Sequence, residues 1–150
     1  MEVVSPMLAS DVVIRSVALC PTNTLCVGFT MSVVPVIHHI FPKKYLQRNG
    51  IDNRKDYNQI ANYVYTQSEI NIKIKDDAPC EYMANMRKQV VGEGSFYGSI
   101  TTMEDLEANL AENCIPIEFI DMDIFSYALF LDIRRAKMAH YIRDYYKSLG

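Results

Sequence analysis

The feature that most constrains this chain is a change of pattern between residues 32 and 79: two β-branched runs, a polar loop between them and two helix starts behind them. Ser32-Val33-Val34-Pro35-Val36-Ile37 has the composition of a strand, and Pro35 marks an edge or a bulge. The run leads directly into His38-His39. Asn49-Gly50 and Asp52-Asn53 punctuate the loop that follows. Ile60-Ala61-Asn62-Tyr63-Val64-Tyr65 is a second strand candidate. Ser68 is a candidate N-cap for a short helix carrying Glu69-Ile70-Asn71. Asp77-Ala78-Pro79 is a further helix start, because proline is tolerated in a first turn. Strand, loop, strand and short helix within about 40 residues predict an α+β chain.

Farther along, Thr101-Thr102-Met103-Glu104-Asp105 offers a capping-box start for a helix through about Glu112. The clearest helix is the last one. Ile124, Ala128, Leu131, Arg135, Met138, Ile142, Tyr145 and Leu149 fall at three- and four-residue steps and predict one mostly apolar stripe. A ββ-then-α core over about residues 33–76 is therefore expected to pack on a helical cap over about residues 79–150. Residues 1–30 are rich in Val, Ser and Thr, could form one or two strands, and carry no recognisable chemistry.

Composition limits the function classes. With 150 residues, 49% of them hydrophobic and 22% charged, the chain can bury one ordinary core and is neither disordered nor collagenous. Cys20, Cys26, Cys80 and Cys114 make no CxxC, so a structural zinc site is not expected, and reduced, buried thiols are preferred to a Cys20–Cys26 disulfide. Glu2 and the missing basic segment argue against a signal peptide, and no apolar run reaches the ~20 residues of a membrane span. A cytoplasmic protein without a membrane partner is expected. The net charge of −3 gives no global case for nucleic acid. Locally, residues 38–75 hold seven basic side chains (Lys43, Lys44, Arg48, Arg54, Lys55, Lys73, Lys75) against three acidic ones, which fits contact with a phosphate backbone.

Adjacent histidines at a strand end point to opposite sides, so one can hold a metal while the other faces a substrate. A helix laid against the strands can supply a second metal ligand, and Asn71 occupies that position. Asn62, nine residues earlier, has the donors and acceptor to brace the loop behind the histidines.

These residues resemble a family. Val36-Ile37-His38-His39-Ile40-Phe41-Pro42-Lys43 resembles the first motif of HNH (ββα-metal) endonucleases, and Ile60-Ala61-Asn62 followed by Asn71 is similar to the second and third. The stretch from Asn71 to Tyr82 and the closing Phe130-Leu131-Asp132-Ile133-Arg134-Arg135 look like the C-terminal nuclease domain of GmrSD-type, modification-dependent restriction enzymes. The resemblance spans roughly residues 34–149 and implies an HNH nuclease domain over residues 31–150. It implies DNA as substrate in restriction or defence, with His39 as general base, Asn62 orienting the loop, and His38 with Asn71 holding one divalent ion. Lys75 stands where zinc-favouring relatives carry a further histidine, which points to Mg²⁺ or Mn²⁺. Lys43, Lys44, Lys73 and Lys75 would hold the DNA backbone. That branch carries a large nucleotide-hydrolysing domain ahead of the nuclease. This chain has no P-loop, so a recognition or NTPase domain, or a partner subunit, would lie outside it.

Plainer readings stand beside these. Two histidines after a strand are often merely satisfied, Asn62 and Asn71 suit a turn and a helix start, and lysine clusters are commonly solvated faces. Arg134 and Arg135 read as helix-surface charges or packing partners, His140 as structural, and Tyr141, Tyr145 and Tyr146 as core and rim. The rival function is a non-catalytic nucleic-acid- or partner-binding module on the same fold. A histidine phosphodiesterase for small nucleotides is disfavoured by the missing second His-x-Thr.

Overall fold

The computed structural model describes residues 14–15, 35–98 and 100–149. In chain order the described elements are β1 (Ile14–Arg15), β2 (Pro35–His39), α1 (Lys43–Arg48), α2 (Arg54–Tyr57), β3 (Tyr63–Gln67), α3 (Ser68–Ile74), α4 (Pro79–Val90), α5 (Met103–Glu112) and α6 (Tyr127–Ser148). The protein is α+β, as the pattern predicts. The antiparallel sheet has the order β1-β3-β2, with β1 contributing two residues. Among the described residues no helix is long and apolar enough to cross a membrane. Cys80 and Cys114 are free thiols, the second of them buried, while Cys20 and Cys26 lie outside the described residues, as does nearly all of residues 1–30.

Strand alternation decides which histidine goes inside. In β2 the buried positions include His38, while Ile37 is exposed and His39 half-buried. His38 stands opposite Val64 and His39 opposite Tyr63, and Val64 with Thr66 supplies the inward face of β3. A one-residue slip would exchange the two histidines, so the burial of Val64 and Thr66 sets which imidazole meets water. α3 then lies against both strands, burying Ile70 and Ile74 one turn apart.

One strand boundary differs from expectation. Ser32–Val34 lie outside the described residues, and β2 closes on the two histidines as the pattern predicts. Ile60–Asn62 form a 3-10 turn ahead of β3 and are not part of the strand. The cause lies in Asn62, whose buried side chain engages the backbone of Phe41 and Tyr57. That bonding replaces a ladder position, and Ile60 is left exposed. Ser68 is the first residue of α3, not a cap outside it. α4 starts with Pro79 in its first turn, and Glu81 accepts from the Ala78 amide at 2.9 Å. Thr102 caps α5 by accepting from the Asp105 amide at 3.1 Å.

Phe41 anchors the chain just past the histidines. Its ring lies 5.0 Å from Tyr127 and from Phe130 and 5.7 Å from Phe119, in an aromatic cluster that joins the sheet to α6. The Tyr82 hydroxyl of α4 donates to the Ile40 carbonyl at 2.7 Å. Buried Gln89 ties down the following loop: it accepts from the amides of Phe96 and Tyr97 and donates to the carbonyls of Tyr97 and Ile100.

The buried stripe of α6 is rotated from the expected one. Tyr127, Phe130, Leu131, Arg134 and Met138 face inward, whereas Ala128 and Arg135 are exposed and Ile124 belongs to a 3-10 turn before the helix. The rotation buries an arginine completely. Arg134 donates to the carbonyls of Ala61 (2.9 Å), Tyr63 (2.8 Å) and Asn113 (3.1 and 3.3 Å). Burial lowers its pKa to about 10, so it stays charged at neutral pH. Removing it strands three buried carbonyls. Arg134→Leu should therefore cost on the order of 3–5 kcal/mol in urea unfolding or prevent folding, whereas exposed Arg135→Leu should cost under about 1 kcal/mol. Equal costs for the two variants would show that the guanidinium does not hold these carbonyls.

Candidate active site

The end of β2, the start of α1 and the C-terminal half of α3 enclose an open cleft of about 470 Å³. Its lining includes His38, His39, Lys43, Lys44, Asn71 and Lys75. The sequence expected each of these at the site, and they meet although up to 37 residues separate them in the chain.

His38 and Asn71 touch directly, with Nδ1 and Oδ1 2.5 Å apart. Helix geometry explains the meeting. Ile70 and Ile74 pin α3 to the sheet, and Asn71, one residue past Ile70, stands at the edge of that buried stripe. An amide oxygen can only accept, so His38 carries its proton on Nδ1 in this arrangement. Desolvation by burial lowers the His38 pKa to about 4; the Asn71 bond opposes the shift and neighbouring His39 adds to it. His38 is thus a neutral imidazole at any working pH.

His39 faces the other way, as alternation requires. Its Nε2 lies 3.0 Å from the Asn58 Oδ1, and its ring packs edge-on against Tyr63 (4.9 Å between centroids) and Tyr57 (6.3 Å). With Asn58 accepting from Nε2–H, the lone pair of His39 resides on Nδ1. Burial lowers its pKa, opposed by the Asn58 bond and assisted by the charge of Lys43. The Lys43 ammonium lies 5.2 Å above the Tyr57 ring.

Asn62 is completely buried behind the cleft and does not line it. Its oxygen accepts from the Phe41 amide at 2.8 Å, and its nitrogen donates to the carbonyls of Phe41 (3.1 Å) and Tyr57 (3.2 Å). These bonds hold both flanks of the loop between the histidines and β3, with the brace coming from a turn and not from the second strand. Lys73, expected with the cleft lysines, is not part of the lining: its ammonium donates to the Phe96 carbonyl at 2.8 Å, because two helical steps carry it to the side of α3 away from Asn71. Lys75 ends α3 at a left-handed φ of 54°, where glycine is the usual residue, so a charge occupies a place the backbone alone would give to glycine.

Asn58 was not foreseen. An asparagine after a four-residue helix reads as a turn residue, and its partner His39 lies 19 positions back, so no local pattern marks it. Asp76 also lines the cleft, but its carboxylate pairs with Arg48 at 3.1 Å, leaving the lining predominantly basic.

Among the described residues no three His, Cys, Asp or Glu side chains cluster as metal ligands. The donor set able to hold an ion is one neutral imidazole and one amide oxygen on an open cleft. That fits a divalent ion completed by water and phosphate, and does not fit a closed structural site. Comparisons with family models, with curated proteins and with solved structures find no match to this chain.

The buried imidazole predicts a pH dependence for the metal-free protein. The His38 pKa is about 4 in the fold and near 6.5 unfolded. Between those values the unfolded chain takes a proton that the folded chain refuses, so this contribution is complete above about pH 6.5 and is lost as pH falls toward 4. The whole shift corresponds to roughly 3 kcal/mol. Urea unfolding of wild type and His38→Val should show wild type losing more stability, by 2 to 3 kcal/mol in rough terms, between about pH 7 and pH 4. Parallel losses would mean that His38 is not held neutral.

Proposed function

We propose that this protein is a divalent-metal-dependent endonuclease of the HNH (ββα-metal) type that hydrolyses DNA phosphodiester bonds, in restriction of or defence against foreign DNA. One observation carries the reading: a free imidazole lone pair on His39 sits beside the His38–Asn71 donor pair in a cleft rimmed by lysines. The order β2, β3, α3 agrees with the ββα arrangement that the motifs resemble.

The chemistry follows from the roles these side chains can take. A phosphodiester resists attack because its charge repels nucleophiles and its leaving alkoxide is basic. His39 Nδ1 takes the proton from the attacking water, and Asn58 on Nε2 keeps the ring in the tautomer and orientation that expose that nitrogen. The low pKa of His39 leaves it unprotonated, and ready to accept, at neutral pH. Mg²⁺ or Mn²⁺ held by His38 and Asn71 would supply charge stabilisation to the scissile phosphate and its leaving oxygen. Lys43, Lys44 and Lys75 hold the flanking backbone, which positions DNA without reading its bases. Little sequence preference is expected from this chain alone. Asn62 acts at a distance, keeping His39 and Lys43 at a fixed separation through Phe41 and Tyr57.

Plasmid nicking and DNA-binding assays test the reading together. His39→Ala should lower cleavage by about 10²- to 10⁴-fold with DNA binding retained. The wild-type rate should rise with pH to an inflection below 6.5 and then stay flat through neutrality. Lys43→Ala should weaken binding and reduce its salt slope by about one. Cleavage that persists in chelator, or survives His39→Ala undiminished, would leave a DNA-binding module without catalysis.

A further inference from the structure

Behind the sheet, on the side of His38 away from the cleft, lies a second and enclosed cavity of about 20 Å³. Val64, Ile70, Met86 and Leu106 contribute to an apolar wall, and His38 and Asn109 of α5 line the same cavity. His38 Nε2 and Asn109 Oδ1 are both buried and both without a hydrogen-bond partner. The other polar groups on the wall are engaged: Tyr82 donates to Ile40, the Tyr97 hydroxyl accepts from Asn85, and Thr66 has a partner of its own. Two partnerless polar atoms in one small apolar cavity call for a joint explanation, since buried polar groups are almost always satisfied.

The cleft side of the same ring supplies the reason. With Asn71 accepting from it, Nδ1 carries the imidazole proton and Nε2 is a bare lone pair. A cation bound at Nδ1 needs that lone pair for itself, so the proton must move to Nε2. There it is buried on a residue that lines the cavity, and an acceptor is required. Asn109 Oδ1 is a pure acceptor on the wall of that cavity, 71 residues away in the chain. A volume of about 20 Å³ also admits one water, which can donate to Oδ1 while accepting from Nε2–H.

We propose that Asn109 is a positioning residue for the metal site: directly or through one water, it accepts the Nε2–H proton of His38 and so stabilises the tautomer whose Nδ1 can bind a divalent ion. The inference rests on the proposed metal role of His38. It makes α5, which contributes nothing to the cleft, part of what sets metal affinity. Ligating histidines elsewhere donate their second N–H to such a partner, and loss of the partner weakens binding by about 10- to 100-fold.

The test uses the full chain with isotope-labelled histidine and Zn²⁺ as the probe, because Zn²⁺ is diamagnetic and accepts imidazole and oxygen donors. Long-range proton–nitrogen correlation spectra report which ring nitrogen of His38 is protonated. We expect Nδ1–H without metal and Nε2–H, slowly exchanging with solvent, at saturating Zn²⁺. In calorimetry Asn109→Leu, which keeps the volume and removes the acceptor, should bind Zn²⁺ about 10- to 100-fold more weakly, and Asn109→Asp should restore binding. His38→Ala should abolish it. If His38→Ala binds as wild type does, the metal reading falls and this inference falls with it. If His38→Ala abolishes binding but Asn109→Leu does not weaken it, the role of Asn109 alone is overturned. A wild-type His38 that keeps its proton on Nδ1 with Zn²⁺ bound overturns it as well, and that measurement requires no variant to fold.

Discussion

The buried amide of Asn62 closes the segment between the two histidines and β3 onto itself, and the rest of the site depends on that closure. One side chain accepts from Phe41 and donates to both Phe41 and Tyr57, while its own carbonyl accepts from Ile40. On either side of it, the carbonyls of Ala61 and Tyr63 point at Arg134. A turn that would otherwise carry unsatisfied polar groups into the core is thereby satisfied by one amide and one guanidinium. Such a network is cooperative and unforgiving, because each lost partner leaves another group desolvated and unpaired.

From that closure the chemistry follows through packing. Phe41 enters the aromatic cluster with Phe119, Tyr127 and Phe130, which fixes where β2 ends and hence where His39 emerges. Alternation along β2 then divides two identical side chains between two environments. His38 goes inward, is held neutral by desolvation and meets Asn71. His39 stays half-exposed, rests on Tyr63 and meets Asn58. The difference between the environments of the two imidazoles is a consequence of pleat geometry and burial, not of any difference between the residues.

Local signals were read correctly where short-range chemistry dominates. The β-branched run before the histidines, the proline in the first turn of α4 and the Thr102 cap of α5 each act within a few residues, and each element formed near its expected place. The α6 stripe was misplaced for a specific reason. Arg134 and Arg135 are the same residue type, and three- and four-residue steps let either one fall between Leu131 and Met138 in one stripe. The inward choice was made by acceptors at Ala61, Tyr63 and Asn113, which belong to other parts of the chain. Lys73 lies apart from the cleft for a similar reason, since its spacing from Lys75 in sequence is short while the fold sends the two to different surroundings.

The amino-acid sequence by itself determined the α+β class, the order β2, β3, α3 and the helices behind them, and the candidacy of His38, His39, Asn62 and Asn71, because those follow from propensity, period and motif spacing. The stretch that forms α1 and α2 read as loop. Only the tertiary structure decided that Asn58 orients His39, that Asn109 shares a cavity with His38 and that Arg134 is a core residue. Asparagine and arginine carry no local mark of burial. Their roles depend on which distant donors and acceptors the fold deprives of water, and that is settled by packing.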